Sequence, residues 1–373
     1  MKILHINMSL DTVTGGGTVE RVLQLHKAFL KLGIESHILT ITNPDNDDDV
    51  LSVSKVTKLP CINKRWFIPF PKLTTVKKLV EEADVIHLMN HWTLINAWVY
   101  VLARKFGKPY IICPAGALTI FGRSTFKKHL YQWLIGKNML KNASAVIAIS
   151  PHEIGIFEEY GVEPQKIHQI PNGVDDDDFN CNNPTHFRKT SGIGSVPYIL
   201  FVGRLNAIKG PDLLLNAFAE LHNELPHHLV FAGPDGGMTE QLKQQALEIN
   251  LKDRVHFTGY LGGELKSSAY HGAELLVVPS RHEAMSIVAL EAAVSSTPVL
   301  LTDQCGFSPL ADVGAALEVP ATINGISQGL ENMLIEDCNL EDMGKCGRTF
   351  ALEHYTWSIM AKRFVELISQ IKK

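Results

Sequence analysis

Short apolar runs of strand length alternate with stretches whose apolar residues recur every three to four positions, and the alternation occurs twice in the chain. In the first half Ile3–Asn7, Ser36–Ile41, Ala83–Met89, Pro109–Cys113 and Ala143–Ile149 read as strands. Helices are predicted between them at Val19–Lys31, Leu94–Phe106, Thr125–Lys141 and Pro151–Tyr160. A stretch rich in Asn, Pro, Ser and Gly, Asn180 to Val196, then interrupts the pattern as a linker. It resumes with strands at Tyr198–Val202, His228–Ala232, Val255–Thr258, Leu275–Val278 and Pro298–Leu301. The helices between those are expected at Pro211–Glu224, Thr239–Asn250 and Gly263–His271. Buried strands joined through helices pair in parallel. The chain therefore predicts an α/β fold of two Rossmann-like, doubly wound parallel-sheet domains facing across a cleft. Their expected bounds are 1–185 and 195–356. A last helix, Ser358–Lys373, carries Met360, Phe364, Leu367 and Ile371 on one face.

A length of 373 residues suits two such domains, each able to bury a core. Hydrophobic content of 45% and charged content of 20% are those of a soluble globular protein, and the net charge of −4 argues against nucleic acid as a partner. No apolar run reaches the length of a membrane span, and the opening strand is too short for a secretory leader. The six cysteines show no C-x-x-C or paired spacing, so free thiols in the cytoplasm are expected.

In open parallel sheets ligands bind beyond the carboxyl ends of the strands. After the first strand, Thr14-Gly15-Gly16-Gly17-Thr18 offers glycines that let backbone approach a phosphate, but it is not a dinucleotide fingerprint. After Tyr198–Val202 comes Gly203-Arg204-Leu205-Asn206-Ala207-Ile208-Lys209-Gly210. Its Arg204 and Lys209, a planar fork and a point charge, can neutralise a diphosphate without metal. After Leu275–Val278 a polar loop carries Glu283, and a helix opens near Ser286, which suits an N-cap. On that helix Glu291 lies about 40° from the apolar stripe of Ile287, Leu290 and Val294, a costly place for a carboxylate without a partner. The backbone amides near Met285, Ser286 and Ile287 are expected to face an anion. The acidic run Asp45–Asp49 reads as a solvated loop, Asp175–Asp178 is not expected to hold a metal, and no convincing metal ligand cluster is seen.

Glu283 and Glu291 in the spacing E-x7-E, followed by Pro298-Val299, together with G-R-L-x-x-x-K-G at 203–210, resemble the signature of retaining glycosyltransferases of family 4, which have the GT-B fold. Ile170-Pro171-Asn172-Gly173-Val174-Asp175 resembles the segment closing the first domain in that family. Phe257-Thr258-Gly259-Tyr260-Leu261 resembles the turn whose backbone meets the nucleotide base, which implicates Tyr260 and Leu261. Gly233-Pro234-Asp235-Gly236 is similar to the glycine turn after the preceding strand. The resemblance implies an N-terminal acceptor domain, a C-terminal nucleotide-sugar domain, and a final helix crossing back to the first domain. It implies that Gly16 and Gly17 face the donor phosphates, that Gly203 lies at the donor, that Glu291 binds the ribose hydroxyls, and that Glu283 meets the sugar.

Departures from the family pattern are visible. Where members carry P-H-G, this chain has Pro114-Ala115-Gly116, so Ala115 stands in the histidine's place. His91-Trp92 is the candidate to serve there instead, with a packed pair as the alternative. Phe-Gly-Leu after the first glutamate is replaced by Met285-Ser286-Ile287. The expected activity is retaining, metal-independent and cofactor-free transfer of a hexose from a nucleotide diphosphate sugar. A UDP-hexose such as UDP-glucose is favoured over GDP-mannose, and the acceptor is a hydroxyl of a polysaccharide or lipid-linked glycan. Lys127, Lys128, Lys137 and Lys141 beside Trp133 and Leu134 allow peripheral contact with the inner membrane face, with an ordinary domain-covering helix as the favoured alternative. The alternatives are a UDP-sugar epimerase of the same fold and a non-catalytic nucleotide-sugar-binding partner.

Overall fold

The computed structural model describes residues 1–42, 54–63, 67–119, 125–180, 183–336 and 338–372. The acidic run Asp45–Asp49 and Cys181 lie outside them. The chain divides into two compact units, Met1–Asn172 with Trp357–Lys373, and Gly173–Thr356.

Unit 1 contains strands β1 (Lys2–Ile6), β2 (Glu35–Ile41), β3 (Val56–Leu59), β4 (Cys61–Asn63), β5 (Ile68–Pro69), β6 (Val85–Met89), β7 (Tyr110–Cys113), β8 (Ala145–Ala148) and β9 (Ile167–Gln169). Seven of them form one sheet in the order β3-β2-β1-β6-β7-β8-β9, while β4 and β5 pair separately and antiparallel. All pairings in the large sheet are parallel, with Ile3–Ile6 of β1 beside Val85–Leu88 of β6. The fully buried runs of β6, β7 and β8 explain their continuous apolar sequences. The helix Trp357–Ile371 belongs to this unit, where Phe364 packs edge-on against Phe29 and His87. Arg21 is buried beside it and donates to the carbonyls of Ile170 and Pro171 and to Asn172 Oδ1.

Unit 2 contains β10 (Tyr198–Val202), β11 (His228–Ala232), β12 (Val255–Gly259), β13 (Leu275–Val278), β14 (Val299–Thr302) and β15 (Ala316–Val319). They form one parallel sheet in the order β12-β11-β10-β13-β14-β15. Leu214, Leu215 and Phe218 of the helix Pro211–Leu221 and Ile326, Leu330 and Met333 of Ile323–Leu334 close one core cluster with Phe201, Phe231 and Leu300.

Strand order reverses between β1 and β6 in unit 1 and between β10 and β13 in unit 2. Each reversal leaves a crevice at the carboxyl ends of the two central strands, the place where this architecture binds ligands.

Three expectations change. Within Asn180–Val196, expected as a linker, Pro184–Ser191 is a helix of unit 2, and the units divide at Asn172–Gly173 rather than between 185 and 195. Its one fully apolar anchor, Phe187, is buried and donates its N–H to Ser268 Oγ, too sparse a pattern for periodicity to register. The helix expected from Val19 begins at Thr12 and breaks only at Gly16, at φ 57 and ψ −147. Gly15 donates its N–H to the Asp11 carbonyl in the helical manner, so the glycines stand inside a helical segment rather than in an open turn. The helix expected over Thr125–Lys141 contains a π-helical turn, Gln132–Gly136.

Candidate active site

In unit 2 the loops after β10, β11 and β13 are stitched together before any ligand is considered. Leu205 N–H donates to the Pro234 carbonyl and Gly236 N–H to the Leu205 carbonyl, which joins the arginine loop to the glycine turn after β11. Asp235 fixes that turn by accepting from the amides of Gly237, Met238 and Thr239 and from Thr239 Oγ1. The Thr239 hydroxyl, then these amides, hold its carboxyl down at about 2. Arg281 N–H donates to the Ile208 carbonyl, and the Arg281 guanidinium grips both oxygens of Asp212 at 2.8 and 2.6 Å. Burial opposes ionisation of Asp212, yet this fork holds its carboxyl below the usual range. Asp212 sits in the first turn of the helix that follows Lys209, so the β10 and β13 loops keep a fixed spacing.

On this frame Lys209 Nζ lies 2.7 Å from Glu283 Oε1. Ser280 Oγ donates to the same oxygen at 2.5 Å, and Glu283 N–H donates to the Gln304 carbonyl. The Glu283 side chain is 8% exposed and that of Lys209 34%, so the carboxylate is held from below while the ammonium faces outward. An ammonium has three N–H donors and can serve Glu283 and an incoming anion together. Arg204 is exposed on the same loop, and Gly203 joins that loop to β10, its N–H donating to the Ala232 carbonyl. Cys305 is buried beneath; burial and the Glu283 charge push its thiol up to about 12, so it is inert.

Glu291 is also buried, on the helix Ile287–Val294. Lys266 Nζ lies 2.5 Å from its Oε1, and Tyr270 O–H donates to Oε2 at 2.7 Å. Burial, then the neighbouring Glu291 charge, raise the Tyr270 hydroxyl well above its ordinary value. Both oxygens of the carboxylate expected to bind ribose therefore have protein donors. Tyr260 is half exposed in the turn after β12, and Leu261 is buried beside it. Ser286 caps its helix as expected, accepting from Ala289 N–H. Its own N–H donates to the Cys305 carbonyl, so this amide points into the fold, contrary to the expectation that it faces an anion. Met285 is buried and Ile287 half-buried at the same helix start. Asp175 caps a short 3-10 turn and Asp176 pairs with Arg348 at 2.8 Å, a structural role for that acidic run. Among the described residues no group of three or more metal-ligating side chains is present.

In unit 1 the predicted residues gather at the ends of β1, β6 and β7. Asn90 Nδ2 donates to Asn7 Oδ1 across the sheet reversal, and Asn90 itself is in the left-handed region at φ 65. His91 is buried, with Nε2 2.8 Å from Gln132 Oε1, and burial lowers its pKa to about 4. Trp92 Nε1 donates to the Ala117 carbonyl, which ties the β6 loop to the β7 loop. In that second loop Ala115 is left-handed at φ 51, and Gly116 N–H donates to Glu153 Oε1 at 2.6 Å. Gly16 and Gly17 are exposed at the start of the first helix.

The sequence did not single out Ser280, Lys266, Tyr270, Glu153 or Gln132. Lys266 and Tyr270 lie four apart on one helix, and Glu153 stands in the first turn of another, but such polar positions are ordinary on helices. Only their partners mark them.

Residues 15–178 match the model of Glycosyltransferase Family 4, and residues 183–350 match that of Glycosyl transferases group 1. The chain is 28% identical to mannosylfructose-phosphate synthase of Agrobacterium fabrum, over 96% of this chain and 87% of that protein. It is 30% identical to D-inositol 3-phosphate glycosyltransferase of Frankia alni over 58% of this chain and 56% of that one. Sucrose-phosphate synthase of Thermosynechococcus elongatus superposes with a TM-score of 0.81 at 23% identity, covering 100% of this chain and 99% of the other. HepE of Anabaena, solved with UDP and glucose, superposes with a TM-score of 0.80 at 18% identity, covering 99% and 100%. Two family models that together run almost the length of the chain, over two sheets that each reverse strand order, make this protein a glycosyltransferase of family 4 with the GT-B fold.

Proposed function

We propose that the chain transfers a hexose, with retention, from a UDP-hexose such as UDP-glucose to a hydroxyl of a polysaccharide or lipid-linked glycan, with GDP-mannose the second donor. The observation that carries the reading is the Lys209–Glu283 pair, seated on Ser280 at the strand-order reversal of unit 2. In the proposed step the bond from the anomeric carbon to the diphosphate oxygen breaks and a bond to the acceptor oxygen forms. The acceptor proton ends on the leaving diphosphate. Lys209 and Arg204 stabilise the charge that grows there, and no metal is required. Glu283 faces the sugar, and Glu291 meets the ribose hydroxyls. The HepE structure with UDP and glucose supports a uridine nucleotide by analogy of fold. Five described cysteines are free, which supports a reducing, cytoplasmic setting, and the acceptor is handled at the inner membrane face.

A second acceptor reading, a small phosphorylated sugar or polyol, is favoured by the whole-chain likeness to mannosylfructose-phosphate synthase. The test is thermal protection and nucleoside diphosphate release across a panel of nucleotide sugars, with and without EDTA, in wild type, Lys209→Met and Glu291→Gln. One donor that protects the protein, turns over without metal and loses its effect in both variants carries the reading. Absence of any donor effect, or a donor effect indifferent to both substitutions, overturns it. Acceptors of both classes are then compared with that donor, and the anomeric configuration of the product is read by NMR.

A further inference from the structure

The two large sheets end in four edge strands, and three of them carry features that keep an edge from pairing. β3 holds Lys58, β15 holds Glu318, and β9 is only three residues long. β12, Val255-His256-Phe257-Thr258-Gly259, has five residues with neither charge nor proline. Its backbone partners among the described residues are β11 and Gly233, which follows directly on β11. The outer side of β12 is therefore a template for another strand.

That side opens into a cavity of about 690 Å³ that lies wholly within unit 2. Val255, His256, Phe257 and Thr258 all line it. Successive side chains of a strand point to opposite faces, so a space touched by four in a row runs along the edge and not over one face. One wall is the helix Thr239–Glu248, through Glu240, Lys243, Gln244 and Leu247, whose spacing sets them on one side of it. All four are exposed, Leu247 to 50%. On the other wall Thr190 and Ser191 present small side chains. Leu261 reaches the cavity, but Arg204, Lys209, Glu283 and Glu291 do not line it.

Charge and spacing select the occupant. A helix that joins two parallel strands runs antiparallel to them. Glu240 thus lies toward the carboxyl end of β12, and Leu247 toward its amino end, where Lys252 stands in the turn before the strand. A twofold axis normal to the sheet, pairing β12 antiparallel with β12 of a second copy, reverses that order. It brings Glu240 of each copy to the end where the other holds Leu247 and Lys252. The Glu240 carboxylate is 87% exposed, and its bond to Lys243 is a surface pair of small worth, so it is open to a second cation. Crossover helices lie over the strands they join, so the two copies of Thr239–Glu248 would run side by side at about twice the strand spacing, about 10 Å, the ordinary distance for packed helices. The same patch meets itself, so the contact closes as a dimer and does not propagate.

We propose that the chain forms a twofold dimer through β12, which joins the six-stranded sheets of two copies into one continuous sheet. Leu247 packs between the paired helices, and Glu240 faces Lys252 of the other copy at both ends of the contact.

Sedimentation velocity of the full chain over a range of concentrations is expected to show a monomer–dimer equilibrium that weakens with added salt. Leu247→Glu is expected to abolish it, because the new carboxylate meets Glu240 of the other copy. Lys252→Glu and Glu240→Lys should each weaken the dimer about tenfold, since the pair occurs twice in it, and the two changes together should restore it to within about threefold of wild type. All three positions are exposed, so circular dichroism of each variant should match wild type. Amide exchange over 255–259 should slow as the concentration rises, in wild type but not in Leu247→Glu, which separates strand pairing from a contact of helices alone. A chain that stays monomeric at every concentration overturns the proposal and leaves the edge to an extended peptide of another protein. So does a dimer that the charge swap fails to restore, or one whose β12 amides exchange at the monomer rate.

Discussion

Lys266 Nζ lies 2.5 Å from Glu291 Oε1, joining the helix after β12 to the helix after β13 through a carboxylate that Tyr270 holds from its other side. Lys266→Met leaves a buried charge with one donor. The expected cost is about 2 kcal/mol, below the range for a fully buried pair because Lys266 keeps partial contact with water. Adding Glu291→Gln removes the stranded charge, so the double variant should regain more than half of that loss. Urea unfolding of the two single variants and the double variant closes the cycle; purely additive effects would show that the pair is not coupled.

Lys209 pairs with Glu283 at 2.7 Å, and its side chain is a third exposed. Lys209→Met should leave the melting temperature close to wild type, since Ser280 and the surrounding loops still seat Glu283. Turnover should fall about 10²- to 10³-fold if the ammonium stabilises a leaving diphosphate. Steady-state release of nucleoside diphosphate measures this, and a variant that retained wild-type kcat would remove Lys209 from the chemistry.

Gly210 is left-handed at φ +66, and a β-carbon there would lie 2.0 Å from the Pro279 carbonyl oxygen at the end of β13. Gly210→Ala must separate the two loops that bring Lys209 to Glu283. A loss of roughly 2–4 kcal/mol is expected. At temperatures where the variant stays folded, activity should fall as well. Chemical denaturation and assay of the same sample test both effects, and an alanine variant of unchanged stability would contradict this packing.

His5 and His87 are buried in unit 1 with their Nδ1 atoms 2.9 Å apart, facing Phe29, Phe364, Arg21 and His26. Burial lowers His5 from 6.5 to about 3 and His87 well below 6.5. Both pKa values are lower folded than unfolded, so the unfolded chain binds the extra protons as pH falls. The stability at stake is fully present above 6.5 and is lost progressively toward pH 3. Each histidine should contribute a slope of about 1.4 kcal/mol per pH unit. Urea unfolding between pH 6.5 and about 5, where most carboxylates stay ionised, reads that slope. A flat profile there would mean that the pair takes up protons without unfolding.

How far the sequence reached depended on whether the signal was local. β10, β11 and β13 lie where the apolar runs predicted them, because a strand buried on both faces writes its burial into consecutive residues. β15, β9 and the helices Ile323–Leu334 and Leu340–His354 were not among the predicted elements. Pro184–Ser191 read as linker because one buried phenylalanine cannot make a period. Arg204, Lys209 and Glu283 were legible as candidates because each lies in the loop after a strand, and the carboxyl ends of parallel strands collect at one edge. Glu291 was legible as a carboxylate in need of a partner, but its partners were not.

The sequence by itself determined the alternation of strand and helix, the parallel sheets that follow from it, and the placing of Arg204, Lys209 and Glu283 at strand ends. Periodicity and turn chemistry act over a few residues, so a single chain displays them openly. Tertiary structure alone decided that Lys266 and Tyr270, 25 and 21 residues from Glu291, take both of its oxygens, and that Arg281 reaches back 69 residues to Asp212. It also turned Ser286 N–H inward to Cys305 and left Phe126 and Trp133 outside. Those outcomes depend on which strand ends are neighbours, and strand order is fixed by the packing of the whole sheet rather than by any local run of residues.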